Sequence, residues 1–207
     1  MVKTEIVQAL LTLPDIDVNV QDQYGDCVLI LAAEFDHKET VQLLLTLPDI
    51  DVNVQDQVGG CALIYAAYTG IMEIVQMLLA MPNIDVHLQD QTGWSALTYA
   101  AHEGHTEIAQ ILVSVPGIDD QGLKRALACA VEKNHTEIVE LLEKEIRWAR
   151  RRQYATFLSG TYRYAGGGEE DERTMRRRRK REEGKMNSAL DRVFTVPELQ
   201  RSIGKYI

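Results

Sequence analysis

The sequence has few residues that could cross-link the chain through sulfur. Only three of its 207 residues are cysteines, Cys27, Cys61 and Cys129, and no two of them are close in sequence. Zinc sites and small disulfide frameworks usually need closely spaced or regularly paired cysteines. We therefore expect all three thiols to be small buried apolar side chains in a reducing compartment.

Long apolar runs and the usual patterns of chemical sites are also missing. No apolar run approaches the roughly 18–20 residues of a membrane span, and the first residues do not resemble a signal peptide. The five histidines are scattered, and the Asp-rich segments lack the glycine and the closing glutamate of a calcium loop. Gly166–Gly168 is not followed by the Lys-Ser/Thr of a phosphate-binding loop. We expect a protein that is not an enzyme, that needs no cofactor or metal and that does not bind a membrane. We expect it to be located in the cytoplasm, the nucleus or both.

Positive charge is scarce in the first two thirds of the chain. Residues 1–145 contain 6 Lys or Arg and 23 Asp or Glu, a net charge of −17, whereas residues 146–207 contain 16 and 8, a net charge of +8. Nucleic-acid binding depends on Lys and Arg contacts with phosphates, so the acidic part is not expected to bind nucleic acid. The basic part can attract the acidic part or contact separate partners.

What the chain does contain is a repeat of 34 residues. Leu44–Gln57, LLTLPDIDVNVQDQ, repeats residues 10–23 letter for letter, and residues 78–91 are a third, substituted copy. Pro14, Pro48, Pro82 and Pro116 are each 34 residues apart. Self-similarity of this length is typical of a stacked repeat protein, in which each unit packs against its neighbours.

One repeat unit predicts two helices and an extended finger. Cys27–Phe35 is a short apolar helix, and it ends at Asp36, whose equivalents Gly70, Gly104 and Asn134 all tolerate a left-handed backbone. A second helix, Lys38–Leu47, has a glutamate in its first turn and is stopped by Pro48. The finger follows, with an Asp-x-x-Gly turn at Asp56–Gly59.

The segments GGCALIYAAYTGIMEIVQMLLAMPNIDVHLQD and GWSALTYAAHEGHTEIAQILV resemble the ankyrin consensus, and the resemblance covers roughly residues 3–146. It implies an all-α dominated ankyrin-repeat solenoid, in which helix pairs carry β-hairpin fingers, followed by a helical or disordered basic tail. The family's Thr-Pro-Leu-His is replaced in every unit, and only Ser95 keeps a hydroxyl that could cap a first helix. Losing a cap costs about 1 kcal/mol, so we expect modest stability.

Both ends of the array depart from the pattern. Residues 3–13 supply only a second helix, so either the chain is a fragment or something else covers that edge. The fourth finger is four residues shorter than the others, and the last helix pair is expected at about Lys124–Ile146. The predicted divisions are an array over 1–148, a helical extension over 149–165, a charged flexible linker over 166–186 and an amphipathic helix over 187–207.

The resemblance implies that a partner protein binds to finger tips and to the exposed sides of first helices, which form one concave face. We expect Tyr65 and Tyr99 to be core residues and the protein to be a monomer. The candidate partner-binding residues vary between units while the framework stays fixed, and they include aromatic side chains suited to binding hot spots. They are Tyr24, Asp26, Glu34, Val58, Tyr68, Thr92, Trp94 and His102.

Two motifs in the tail leave alternatives open. The basic run Arg176, Arg177, Arg178, Arg179, Lys180 and Arg181 fits a nuclear-import signal bound by an import receptor, a solvated helix face, or a contact with nucleic acid or acidic lipid. The final stretch LDRVFTVPELQRSIGKYI is weakly similar to the opening helix of an F-box. It either folds back onto the array or recruits the adaptor of a ubiquitin ligase, which would make the chain a substrate receptor.

Overall fold

The helices of the protein follow the 34-residue repeat. The computed structural model describes residues 2–11, 16–115, 118 and 120–149. After α1 (Val2–Leu11) come three pairs of short helices and a longer final pair. They are α2 (Val28–Glu34) and α3 (Lys38–Leu44), α4 (Ala62–Thr69) and α5 (Met72–Leu79), α6 (Ala96–Glu103) and α7 (Thr106–Ser114), and α8 (Asp120–Glu132) and α9 (136–149).

Equivalent helices stack on one another. The first helices pack in the order α2, α4, α6 and α8, and the second helices in the order α1, α3, α5 and α7. Paired alanines are buried at the same place in successive first helices, at Ala32–Ala33, Ala66–Ala67 and Ala100–Ala101. Their small side chains let the first helices approach closely. The array therefore has a continuous core between units.

Leucine and isoleucine fill the space between each first helix and its second helix. Leu63, Ile74 and Leu78 are almost fully buried in the central unit. Burying a side chain of this size contributes about 1.5–3 kcal/mol. Since a single seven- or eight-residue helix is marginal in water, this packing, and not helix propensity, stabilises the elements.

Turns of the predicted type separate the helices. Gly70 and Gly104 end α4 and α6 with φ of 79° and 82°, and Asp36 and Asn134 adopt φ of 56° and 60° at the equivalent positions. The finger glycines Gly25, Gly59 and Gly93 also have positive φ. These positions could be predicted from the sequence because glycine, asparagine and aspartate adopt a left-handed backbone more readily than other residue types do.

Several predicted boundaries were wrong. The second helix of the first full unit stops at Leu44, three residues before Leu47, and α8 begins at Asp120, four residues before Lys124. Ser95 precedes α6 without a capping hydrogen bond, because its hydroxyl lies 3.3 Å from the Thr98 hydroxyl instead. Within the described residues the fingers form no sheet, and one antiparallel bridge joins Gln89 to Ser95.

The chain divides into two units, Met1–Glu143 and Lys144–Ile207. Of the second unit, the structure describes the helical residues 144–149, in which Trp148 is half exposed. Apart from residue 149, the predicted extension, linker and final helix lie outside the described residues.

Candidate functional site

Each finger turns around an aspartate. In the second finger, Asp56 Oδ1 accepts the backbone N–H groups of Val58 (2.9 Å) and Gly60 (2.7 Å). Asp22 and Asp90 do the same for residues two and four positions later in their fingers. Because these bonds fix the backbone at the finger tips, they set the positions of Tyr24, Val58 and Thr92.

Successive fingers are joined by hydrogen bonds that recur once per repeat. The Gln57 N–H donates to the Tyr24 carbonyl at 3.0 Å, and the Gln91 N–H donates to the Val58 carbonyl at 2.8 Å. Asn53 extends the connection, since its Nδ2 donates to the Asn83 carbonyl and its Oδ1 accepts the Asp85 N–H. The fingers are therefore one coupled layer.

This ladder changes character after the third finger. His87 stands where the first two fingers have Asn19 and Asn53, and its side chain makes no hydrogen bond to another finger within the described residues. Arg125 of α8 donates to the Gly93 carbonyl, whose equivalents in the first two fingers accept a glutamine side-chain N–H from their own finger. Arg125 thus satisfies part of the exposed end of the finger layer.

Tyr65 and Tyr99 are not core residues, contrary to the sequence-based expectation. Both are half-buried, and their hydroxyls donate to Asp56 Oδ2 and Asp90 Oδ2 at 2.6 Å. Burial and these hydrogen bonds raise the pKa of both phenols well above its usual range. Burial alone would raise the pKa of Asp90 too, but hydrogen bonds from Thr92 and Tyr99 outweigh it and lower that pKa.

In the third unit, the candidate residues contact one another. The Trp94 ring lies 5.0 Å from the rings of both Tyr99 and His102, measured between centroids. His102 Nδ1 is 2.6 Å from a Glu103 carboxylate oxygen, and Tyr68 approaches Tyr99 edge-on at 5.6 Å. Trp94 and His102 are therefore partly buried by an internal cluster, whereas Tyr68 is 48% exposed.

The equivalent positions of the first unit are open. Tyr24 is 61% exposed, and Asp26 and Glu34 are partly exposed. Burial and the nearby carboxylates of Asp22 and Asp56 raise the pKa of Asp26. No described residue forms an ion pair with Asp26 or Glu34.

Sequence reasoning missed Leu31 of α2 and Phe35, which directly follows α2; both are exposed, and Phe35 is 61% exposed. A signal was present, because the residues equivalent to Phe35 are polar in every other unit. They are Thr69, Glu103 and Lys133.

Two histidines connect neighbouring units. His105 Nε2 lies 3.1 Å from the Tyr68 carbonyl oxygen, and His135 Nε2 lies 3.0 Å from the His102 carbonyl oxygen. Their rings occupy the space that a Cβ on Gly70 or Gly104 would need. These histidines help to hold the array together.

The remaining candidate residues have simpler surroundings. Val58 and Thr92 are exposed at finger tips, as expected from the turn pattern. Gly60, at the position equivalent to Asp26 and Trp94, is buried, and a Cβ there would lie 2.6 Å from the Tyr65 ring. The run Arg176–Arg181 lies outside the described residues.

Potential metal ligands are not clustered in the part of the chain that the structure describes. That part contains no cluster of three or more potential metal ligands and no helix long and apolar enough to span a bilayer. A cavity of about 170 Å³ lies beside the third finger, where the shortened fourth segment replaces a full finger. It is lined by Val86, His87, Gln89, Ser95, Leu97, Ile118 and Gly122.

Comparison with known proteins gives one family. The family model described as "Ankyrin repeats (3 copies)" matches residues 2–90 and residues 66–151. The two matches together cover residues 2–151, well over half of the chain. No match was found among curated proteins.

Proposed function

The chain belongs to the ankyrin-repeat family, whose members are generally protein–protein interaction modules, and we propose that it binds a partner protein through its finger tips and first helices. The binding surface in this proposal comprises Tyr24, Asp26, Glu34, Val58, Tyr68, Thr92, Trp94 and His102. The protein acts as a scaffold without catalysing a reaction, as is typical of the family.

One observation carries this proposal. Tyr24, Val58 and Tyr68 are large, largely exposed side chains, and they lie on fingers and first helices of adjacent units. Aromatic residues of this kind supply much contact area at a low cost in side-chain entropy. Hydrogen bonds between the fingers hold the tips in place before a partner arrives, which reduces the ordering cost of binding.

Site-specific photocrosslinking tests the location of this surface. A photoreactive phenylalanine analogue is placed at Tyr24 or Tyr68, and in control proteins at the exposed second-helix residues Gln42 or Gln76. We expect one partner to be captured from Tyr24 and Tyr68 and not from the controls. Capture from the second-helix positions alone would move the binding surface to the other side of the helix pairs.

Substitution provides a second test. Tyr68→Ala combined with Trp94→Ala is expected to weaken partner binding while the helical circular dichroism signal persists. Trp94 contacts Tyr99 and His102, so some loss of thermal stability accompanies the change. Full binding by a folded double variant would contradict the proposed surface.

The alternative function is that of a substrate receptor for a ubiquitin ligase. It is favoured only by the similarity of Val193–Ile207 to the start of an F-box. Pull-downs with the full chain and with a chain lacking residues 187–207 separate the two. An adaptor that is recovered only with the intact end supports the alternative.

We also propose that Arg176–Arg181 directs nuclear import. The run has the composition that import receptors bind in flexible peptides. Changing Arg176–Arg179 to alanine is expected to move a tagged protein from the nucleus to the cytoplasm without affecting the partner of the array. Unchanged localisation would reject this assignment.

A further inference from the structure

The first unit presents an apolar and acidic surface that has no counterpart in the third unit. We define the anionic patch as Tyr24 and Asp26 of the first finger, Leu31 and Glu34 of α2, and Phe35, which directly follows α2. The positions equivalent to the last four are Trp94, Tyr99, His102 and Glu103. Those four residues contact one another, as described above, whereas the side chains of the patch remain exposed or partly exposed.

The acidic groups of the patch lie close together. Asp26 and Glu34 occupy the positions of Trp94 and His102, whose rings lie 5.0 Å apart in the third unit. Asp22 Oδ1 accepts the Asp26 backbone N–H at 3.0 Å, and burial together with the carboxylates of Asp22 and Asp56 raises the pKa of Asp26. Bringing several carboxylates together is unfavourable unless a cation balances them.

The array offers almost no cation for this purpose. Among residues 16–115, Lys38 is the only lysine or arginine, against fourteen aspartates and glutamates. Lys38 is already engaged on the second helix, where its Nζ lies 3.7 Å from Asp36 and 3.1 Å from Glu73. Residues 16–115 therefore leave the positive charge of the patch to be supplied from elsewhere.

The position of Glu34 adds to this imbalance. It is the last residue of α2, where the backbone carbonyl groups give the helix end a partial negative charge. The last turn of α2 contains no basic residue. A cation beside Glu34 would interact favourably with both the carboxylate and the helix end.

The apolar residues of the patch indicate which other side chains the partner should have. Phe35 directly follows α2, and its backbone N–H donates to the Leu31 carbonyl at 3.1 Å. The two residues therefore lie one turn apart on the same side, with Glu34 next to Phe35. Tyr24 and Phe35 also present aromatic faces, against which an arginine guanidinium can stack. Arginine suits such a site better than lysine because it can pair with carboxylates and stack on rings.

On these grounds we propose that the partner inserts a cationic peptide segment, with arginine side chains next to an apolar residue, into the anionic patch. This inference rests on the proposed function, since it names the class of partner that the same surface binds. The proposal also places the main contact with the partner on the first unit, and not on the cluster of Trp94, Tyr99 and His102 in the third unit.

The test uses the full chain and synthetic peptides of about twelve residues. One peptide alternates arginine and leucine between glycine spacers, a second replaces arginine by lysine, and a third replaces arginine by glutamate. Binding is measured by fluorescence anisotropy at about 50 mM and about 300 mM NaCl, because salt screens such contacts. We expect the arginine peptide to bind best, its affinity to fall with salt, and the glutamate peptide not to bind.

Matched variants distinguish the patch from the general negative charge of the protein. Asp26→Asn with Glu34→Gln is compared with Asp49→Asn with Glu107→Gln, which removes the same two charges at exposed positions elsewhere. We expect the patch variant to lose about fivefold or more in affinity and the control variant less than about twofold. Equal losses in the two variants, or no loss in either, would overturn the proposal.

A further variant tests the apolar contribution. Phe35→Ser is expected to weaken binding of the arginine peptide at both salt concentrations, because it removes apolar area and leaves the charge unchanged. Unaltered affinity would show that the contact is purely electrostatic and would reject the proposed peptide chemistry. The exposure of Phe35 means that the variant should fold, which circular dichroism checks.

The chain's own basic run is the rival occupant. If residues 176–181 fill the patch, changing Arg176–Arg179 to alanine will increase the affinity of the arginine peptide. That result would overturn the proposal that a partner protein supplies the cationic segment. An unchanged affinity would support the proposal. If none of the three peptides binds but a partner still crosslinks to Tyr24 and Tyr68, only the proposed cationic chemistry of the partner is rejected. If no partner crosslinks to these positions, the proposed function itself is rejected.

Discussion

At the scale of single residues, the hydroxyl groups of Tyr65 and Tyr99 connect first helices to fingers. Each donates to a finger aspartate at 2.6 Å from a half-buried position. The same aspartates hold the finger turns through their other oxygen. In each of these units a single carboxylate therefore both holds the finger turn and accepts a hydrogen bond from the first helix.

Replacing both tyrosines by phenylalanine should therefore lower the free energy of unfolding by about 1–2 kcal/mol at neutral pH, because two hydrogen bonds to carboxylates are lost from partly exposed sites. The pH dependence should change as well. Both phenols have pKa values raised above the reference of 10.0, so their contribution is complete below pH 10 and is lost as the pH rises further. Urea unfolding between about pH 7 and about pH 11 measures both effects.

The control for this prediction is Tyr24→Phe. The Tyr24 hydroxyl has no hydrogen bond within the described residues, so this variant should unfold like the parent protein at every pH. The interpretation is wrong if the parent and the double variant lose stability in parallel above pH 10.

The structural roles of only some of these residues could be predicted from the sequence. The Asp-x-x-Gly turns were predictable because they depend on neighbouring residues and on a positive φ that glycine tolerates. The Tyr65–Asp56 bond was not, since it joins residues nine positions apart through the packing of a helix on a finger. The exposure of Phe35 also depends on what the neighbouring units leave uncovered.

At the scale of helices, the left-handed residues that end the first helices differ in what surrounds them. Gly70 has φ of 79°, and the His105 ring fills the space beside its Cα. Asp36 holds the same turn with a side chain, and the residue equivalent to His105 in its neighbouring unit is Ile71. The glycine is thus required where the histidine is present.

Gly70→Ala should destabilise the protein by about 1–3 kcal/mol, because alanine is strained at this φ and its methyl group would overlap the His105 ring. Adding His105→Ala should recover part of the loss by removing the overlap. Asp36→Gly is the matched control, and it should be neutral or slightly stabilising because glycine accepts the same φ. Chemical denaturation of the four proteins tests this, and equal costs for Gly70→Ala and Asp36→Gly would contradict it.

Helix α1 is expected to be the least protected element of the array. Ile6 and Leu10 are 54% and 46% exposed, whereas Ile74 and Leu78 of α5 are fully buried. Amides of Ile6–Leu11 should therefore exchange with solvent faster than those of Ile74–Leu79. Sedimentation at the same concentration is the control, since self-association would cover α1, and equal protection in a monomer would disprove the prediction.

The helices themselves were predictable, but their ends were less so. The 34-residue period and the apolar spacing gave their number and order within the described residues. The predicted start of α8 was wrong, since the helix begins four residues earlier, in a segment expected to be finger, and an ion pair between Asp120 and Lys124 lies in its first turn. A shortened repeat has no copy in the chain against which its register can be checked.

At the scale of the whole molecule, stability depends on how strongly each unit is coupled to the next. Asn53 supplies two hydrogen bonds across one boundary, to the Asn83 carbonyl and from the Asp85 N–H. His87 occupies the same place one unit later and supplies none within the described residues. At this matched position the two boundaries therefore differ.

This difference leads to a test of coupling in the array. Asn53→Ala should lower the free energy of unfolding by about 1–2 kcal/mol, because it removes two hydrogen bonds to the neighbouring finger. His87→Ala should change it by less than about 0.5 kcal/mol. Since each unit is stabilised by its nearest neighbours, weakening the Asn53 boundary should also broaden the urea transition and lower its m value. If His87→Ala has as large an effect as Asn53→Ala, coupling across these boundaries comes from the helix core and not from the finger layer.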